Sequence, residues 1–172
     1  MGKVLTDFEK HAARMDSYLL GASKLSEEHF HKPPTAGAWS AQQVILHLII
    51  ASEGILSIMT KKVSEEGKLK KSDASMLLRA AFLTLMLRLP LKFKAPALVA
   101  NVPNDLTFQE LKDRWDKNKE GYRKLISNFP AHLEDKLIFK HPAVGWFNLE
   151  QSISFLGEHI LHHKKQIETL YS

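Results

Sequence analysis

GEHILHHKKQ, residues 157–166, is the stretch that decides the fold of this 172-residue chain. His159 and His163 are four residues apart, so on a helix they lie on the same face with Cβ atoms about 5–6 Å apart. At that spacing two imidazoles can bind one metal ion. The stretch therefore predicts a helix that carries a pair of metal-ligating side chains.

Apolar residues on both sides of this pair repeat in alternating steps of four and three, which is typical of a helix that buries one face. They are Leu149, Ile153, Leu156, Ile160, Ile167 and Leu170. His163 takes the place between Ile160 and Ile167 where an apolar residue is expected. Because an unpaired polar group in a protein core is costly, we expect another part of the chain to supply a partner for His163.

The composition describes one globular domain over residues 1–172, since 44% of the residues are hydrophobic and 25% are charged. The chain has no cysteine, which excludes disulfides, thiolate metal sites and cysteine nucleophiles and leaves His, Asp and Glu as ligands. No secretory signal and no apolar run of about 18 residues is visible. We therefore expect a cytoplasmic protein without a transmembrane segment.

The net charge of +5 comes from one segment. Residues 61–94 hold nine Lys and Arg against three Asp and Glu, a balance of +6, which leaves −1 for the rest of the chain. A nucleic-acid-binding surface would be more widely basic, so no nucleic-acid partner is expected. The segment is read as a bundle helix with a solvated basic loop; a dimer face, a substrate cover and a membrane-surface patch stay open as alternatives.

Helical periodicity and breakers predict an all-α fold, a four-helix bundle with an additional short helix and long connections. The predicted helices cover residues 5–25, 40–60, 74–89, 107–128 and 149–170, with a short extra turn at 25–31. No pair of strands is expected. Residues 91–103 and 130–146 are predicted to be irregular connections.

Polar residues at the predicted helix starts are typical N-caps. Ser40 with Gln43 and Thr107 with Glu110 have the spacing of capping boxes. Asn148 is expected to cap the last helix, and Thr6 or Asp7 the first.

His47 supplies the third histidine of interest, because it is the only polar residue in the run 44–50 of the most apolar helix. Three imidazoles and an open position are the ligand set of catalytic zinc sites, in which the pKa of a bound water falls to about 7. Imidazole ligands also suit nickel, copper and iron, so the metal stays open. The alternative is that His47, His159 and His163 are hydrogen-bonded structural residues, since nine histidines can produce an HxxxH pair by chance.

Four further residues are candidates to support these ligands: Gln43, Glu53, His162 and Gln166. Gln43 lies one turn before His47, although helix capping explains it equally well. Glu53 lies about 120° around the helix from His47 and could instead be an exposed charge. No general base is evident, and the zinc-peptidase motif is excluded because Ile160, rather than Glu, follows His159.

Three segments together resemble the DinB-like (YfiT-like) metalloenzymes: Trp39-Ser40 before the helix of His47, the His159-x-x-x-His163-x-x-Gln166 pattern, and residues 141–146. The resemblance covers nearly the whole chain. It implies a four-helix core in which His47, His159 and His163 bind a divalent metal, often zinc or nickel, and frequently a homodimer. Members with known activity include thiol-dependent S-transferases and metal-dependent hydrolases that act on small molecules.

Three functions follow as hypotheses. The first is a metal-dependent hydrolase or thiol S-transferase, with a low-molecular-weight thiol as a further cofactor. The second is a non-catalytic metal- or ligand-binding stress-response module, favoured by the lack of a well-placed carboxylate or nucleophile. The third is binding to an anionic surface through residues 61–94. The sequence identifies no substrate and no catalytic side chain beyond the metal ligands.

Overall fold

The structure is a computed structural model that describes residues 1–65, 69–72, 102–141 and 145–171. It has the predicted all-α architecture with one small hairpin. The helices are α1 (Gly2–Ala22), α2 (Glu27–His31), α3 (Ala41–Ser64), α4 (Phe108–Ser127), α5 (Leu149–His162) and α6 (Lys164–Tyr171), with a 3-10 turn at Ala131–Leu133. The hairpin pairs β1 (Phe139–His141) with β2 (Gly145–Phe147) in antiparallel register.

Four long helices enclose the core. Helix α1 packs on α4 and α5, and α3 packs on the same two helices. Phe8 of α1 stacks on Tyr122 of α4 with 5.0 Å between ring centroids, and both side chains are fully buried. The short helices α2 and α6 lie against α3, at the margin of this four-helix core.

The predicted caps of α3, α4 and α5 are confirmed as capping boxes. Asn148 forms its capping box with Gln151, which was not predicted as its partner. The predicted cap of α1 was wrong, because α1 already begins at Gly2 and the Thr6 hydroxyl donates to the Gly2 carbonyl within the helix. The short turn predicted before Lys32 is helix α2, capped by Ser26.

Helix α3 is one turn longer than predicted and continues through Lys61 and Lys62 to Ser64. Two lysines in the last turn suit the negative end of the helix dipole, which explains why a polar sequence remains helical here. By length and composition α3 is the one described helix that could cross a membrane, but half of its most apolar window is buried inside the bundle. Its packing on α1, α4 and α5 is that of a central core helix.

The hairpin corrects the prediction of an irregular connection before α5. Strands β1 and β2 have three residues each, too short for the alternating pattern that reveals a strand in sequence. Gly145 begins β2 with φ +99°, a conformation that favours glycine. The hairpin contacts α3 and α5 and thereby covers the end of the bundle where the candidate ligands lie.

The last helix is not continuous as predicted. Helix α5 ends at His162, His163 has φ −83° and ψ −3°, and α6 begins at Lys164. The predicted buried face is otherwise confirmed, because Leu149, Ile153, Leu156, Ile160 and Ile167 are buried. Leu170, the last residue of the predicted set, is partly buried. The predicted helix 74–89 and most of the basic segment 61–94 lie outside the described residues.

Candidate metal centre

The three candidate histidines come from three different places in the bundle. His47 lies in the second turn of α3, directly behind the Ser40 capping box that fixes the start of that helix. His159 lies in the last turn of α5, and His163 lies at the break between α5 and α6. His47 is buried, while His159 and His163 are half-buried.

The three imidazoles form a nearly equilateral triangle. Their ring centroids are 5.1 Å apart for His47 and His159, 5.0 Å for His47 and His163, and 5.1 Å for His159 and His163. One nitrogen from each ring can be chosen so that all three lie within 4.8 Å of one another. The hydrogen-bond partner of His163 is the nearby Gln166 rather than a distant part of the chain, while the His47 and His159 rings lie against the His163 ring.

One pair of nitrogens in this triangle has the spacing of two ligands on one metal ion. The Nε2 atoms of His47 and His159 are 3.2 Å apart. Two nitrogens bound to a tetrahedral metal at about 2.0–2.1 Å lie about 3.3 Å from each other. The donor set and its spacing thus fit a divalent metal with imidazole ligands.

Gln166 orients the third ring. The Nδ1 atom of His163 lies 2.9 Å from the Gln166 side-chain oxygen, which accepts the Nδ1–H hydrogen bond. This contact selects the tautomer whose Nε2 carries a lone pair, the form that a metal ligand requires. Gln166 therefore contacts one candidate ligand, and its support of a bound metal stays a prediction.

The environment keeps the half-buried imidazoles neutral. Burial lowers the pKa of His159 well below its usual range, and the neighbouring His163 and His47 lower it further. Burial is also the main reason that the pKa of His163 falls to about 4. The Nδ1 atom of His159 is buried without a hydrogen-bond partner among the described residues. Neutral imidazoles at neutral pH are ready to bind a metal without first releasing a proton.

The other predicted supporting residues have different roles. The Gln43 side chain accepts from the Ser40 backbone and donates to the Val102 carbonyl, so it fastens residue 102 to the start of α3. Glu53 forms a two-pronged ion pair with Arg114 of α4, with N···O distances of 3.0 and 2.5 Å. Glu53 was predicted as a possible neighbour of the metal ligands. This prediction is corrected, because Arg114 holds the Glu53 carboxylate against α4.

His162 flanks the triangle as predicted. Its ring lies edge-on to that of His163, with 5.3 Å between the centroids. The three-residue group that can hold a metal among the described residues consists of His47, His159 and His163, and His162 is outside it. Its position is that of a neighbour rather than a ligand.

Two aromatic side chains next to the triangle were not predicted as site residues. The Trp39 ring packs on His47 at 4.9 Å, and the Phe155 ring lies parallel to His159 at 5.9 Å. Phe155 precedes His159 by four residues, so helical spacing could have revealed it. Trp39 precedes α3, where no periodic signal relates it to His47.

A family model described as the DinB superfamily matches residues 7–167. The chain belongs to the DinB superfamily. The match covers nearly the whole sequence and includes all three histidines, which confirms the family expected from the sequence. Searches of curated proteins and of solved structures returned no significant match. For this member of the DinB superfamily, the helical fold and the three-histidine cluster agree with a metal-binding protein.

Proposed function

We propose that this protein is a metal-dependent enzyme that acts on a small molecule, as a hydrolase or a thiol-dependent S-transferase. His47, His159 and His163 hold the metal, with zinc or nickel as the first candidates. A divalent metal bound by three imidazoles supplies Lewis-acid activation of a water or a thiol at its open position. The remaining expectations, a cytoplasmic homodimer and a low-molecular-weight thiol as cofactor, belong to the same proposal.

The observation that carries this proposal is the triangle of imidazoles. Three rings from α3, α5 and the α5–α6 break converge with centroids 5.0–5.1 Å apart. A hydrogen bond between the Nε2 atoms of His47 and His159, which are 3.2 Å apart, links at most two of the three rings. A metal ion would stabilise all three rings at once.

The surrounding residues prepare the rings for this role. Gln166 fixes the tautomer of His163, and burial keeps His159 and His163 unprotonated at neutral pH. Trp39 packs on the His47 ring and Phe155 lies parallel to the His159 ring, so aromatic side chains hold two of the three imidazoles. These features leave the ligand set ordered before a metal arrives.

The test is metal analysis of protein purified without a polyhistidine tag. After loading with zinc or nickel and exhaustive dialysis, we expect about one metal ion per chain in the wild type and far less in the His47→Ala and His163→Ala variants. The matched control is His132→Ala, which removes an exposed histidine outside the triangle. A wild type that retains only trace metal would contradict the proposal.

A second candidate function is a non-catalytic metal-binding module. The observation that favours it is the engagement of Glu53 by Arg114, which removes the carboxylate that was predicted beside the site. The two candidates separate in a turnover assay on small esters, amides and thiol acceptors. Metal-dependent turnover that is lost in His163→Ala supports the enzyme, whereas stoichiometric metal binding without any turnover supports the module.

A further inference from the structure

The break at His163 raises the question of what fixes the angle between α5 and α6. In a continuous helix the backbone hydrogen bonds would set the relative positions of His159 and His163. Here His163 lies between two helices, so tertiary contacts must set that angle. Both α5 and α6 contact α1.

The first contact joins α1 to α5 just before the break. The His11 ring of α1 lies so close to Gly157 that a Cβ atom at this position would overlap three atoms of the ring. Gly157 is buried and precedes His159 by two residues, which places it about 200° around the helix, on the side opposite to His159. The spacing at Gly157 therefore determines how far His159 reaches toward His47.

The second contact joins α1 to α6 after the break. The Tyr171 ring lies against Gly21, where a Cβ atom would overlap it. The Tyr171 hydroxyl donates to the Tyr18 carbonyl over 2.6 Å. This contact secures the end of α6, and Gln166 in the same helix binds the Nδ1–H of His163. A change in the direction of α6 therefore moves the residue that orients His163.

We propose that α1 positions His159 and His163 relative to each other through these two glycine contacts, His11 on Gly157 and Tyr171 on Gly21. The inference rests on the proposed metal site, since these contacts would hold two of its three ligands, His159 and His163, at the right distance from each other. Gly21, Gly157, His11 and Tyr171 are positioning residues in this scheme. They act on the ligands through the helices that carry them.

Gly21→Ala and Gly157→Ala test the proposal, because each methyl group displaces the ring that contacts the glycine. Alanine favours a helix more than glycine does, so the intrinsic helix stability rises in both variants while the contact is lost. We expect zinc affinity, measured by competition with a chelator, to fall about tenfold or more, as it does when groups that orient ligands are removed. The matched control is Gly54→Ala in α3, where a Cβ meets no atom within 4 Å and zinc affinity should stay unchanged.

A double variant separates positioning from general destabilisation. Gly21→Ala and Tyr171→Ala remove the same contact, so the combined variant should bind zinc no more weakly than either single variant. Tyr171→Phe, which loses only the hydrogen bond to Tyr18, should shift zinc affinity in the same direction by less. If Gly157→Ala does not fold, the Gly21 and Tyr171 variants still decide the question. Wild-type affinity in both Gly21→Ala and Tyr171→Ala would overturn the inference.

Histidine ring signals in nuclear magnetic resonance spectra of the metal-free protein supply a readout that does not need metal binding. We expect the signals of His159 and His163 to move in Gly21→Ala and Gly157→Ala and to stay in place in Gly54→Ala. A wild type that binds no zinc would contradict the proposed function, and these signals would still test the contacts. Unmoved signals in both glycine variants would overturn the positioning role.

Discussion

His163 combines a ligand position with a break in the backbone. Its Nδ1–H is held by Gln166, and its ring lies 5.0 Å from that of His47. A histidine at a helix end can turn its ring more freely than one inside a continuous helix. The hydrogen bond to Gln166 restrains the ring and leaves Nε2 as the nitrogen with a free lone pair.

Gln166→Ala should therefore weaken metal binding without removing a ligand. We expect a loss of about tenfold or more in zinc affinity, because His163 must then be ordered as the metal binds. Gln166→Glu keeps an acceptor for the Nδ1–H and is the matched control, with affinity close to that of the wild type. Competition titration with a chelator measures both variants, and equal affinity of Gln166→Ala and the wild type would contradict the assigned role.

Among the elements, α3 has a start that is fixed both by its capping box and by a contact with a distant segment. The buried Ser40 hydroxyl accepts from the Gln43 amide and donates to the Asn104 side chain over 2.6 Å. Asn104 in turn donates to the His31 carbonyl, which ties α2 to the start of α3. Ser40 thus links the start of α3, which carries His47, to the segment that contains Asn104.

Ser40→Ala should lower the free energy of unfolding by about 1–2 kcal/mol, because it removes both the helix cap and the hydrogen bond from the buried Ser40 hydroxyl to Asn104. Chemical denaturation with urea measures this change. Ser57→Ala is the control, since it replaces an exposed serine in the interior of the same helix and should change stability by less than about 0.5 kcal/mol. Equal effects of the two substitutions would show that the cap does not stabilise α3.

For the whole molecule, His159 and His163 couple folding to pH. The folded pKa of His163 is about 4 and that of His159 lies well below its usual range, whereas unfolded histidines titrate near about 6.5. Between these values the unfolded chain binds protons that the folded chain does not. The corresponding stability is therefore fully present above about pH 6.5 and is lost as the pH falls toward 4.

The metal-free protein should accordingly become less stable between about pH 6.5 and pH 4, with His163 alone contributing on the order of 3 kcal/mol across that range. Urea denaturation at several pH values in the presence of a chelator measures the slope. In His163→Gln, which does not titrate, the slope should be smaller. If the unfolding free energy of His163→Gln depends on pH as steeply as that of the wild type, the lowered pKa of His163 is contradicted.

Much of the candidate site follows from local sequence. The spacing of His159 and His163, and the isolation of His47 in an apolar run, depend only on helical periodicity and on the cost of a buried polar group. The capping boxes at Ser40, Thr107 and Asn148 are likewise local, because each is formed by residues three positions apart. Because these signals are local, the all-α class and the first residues of α3, α4 and α5 could be predicted from the sequence.

Other features depend on contacts between residues that are distant in sequence. Helical spacing allows Glu53 to lie near the metal site. In the fold its carboxylate pairs instead with Arg114, which is 61 residues away in sequence. The short hairpin and the role of Trp39 have no periodic signal, so only packing at the end of the bundle reveals them. Single-sequence patterns carry no information about such pairings.

Residues 157–166 show both kinds of feature, those determined by local sequence and those determined by tertiary contacts. Their periodicity determines a helix that turns one face to the core and places two imidazoles on that face. The angle between α5 and α6 depends instead on where α1 meets them, at His11 against Gly157 of α5 and at Gly21 against Tyr171 of α6. Helical spacing is set by hydrogen bonds between near neighbours, whereas the angle between two helices is set by the side chains that fit between them.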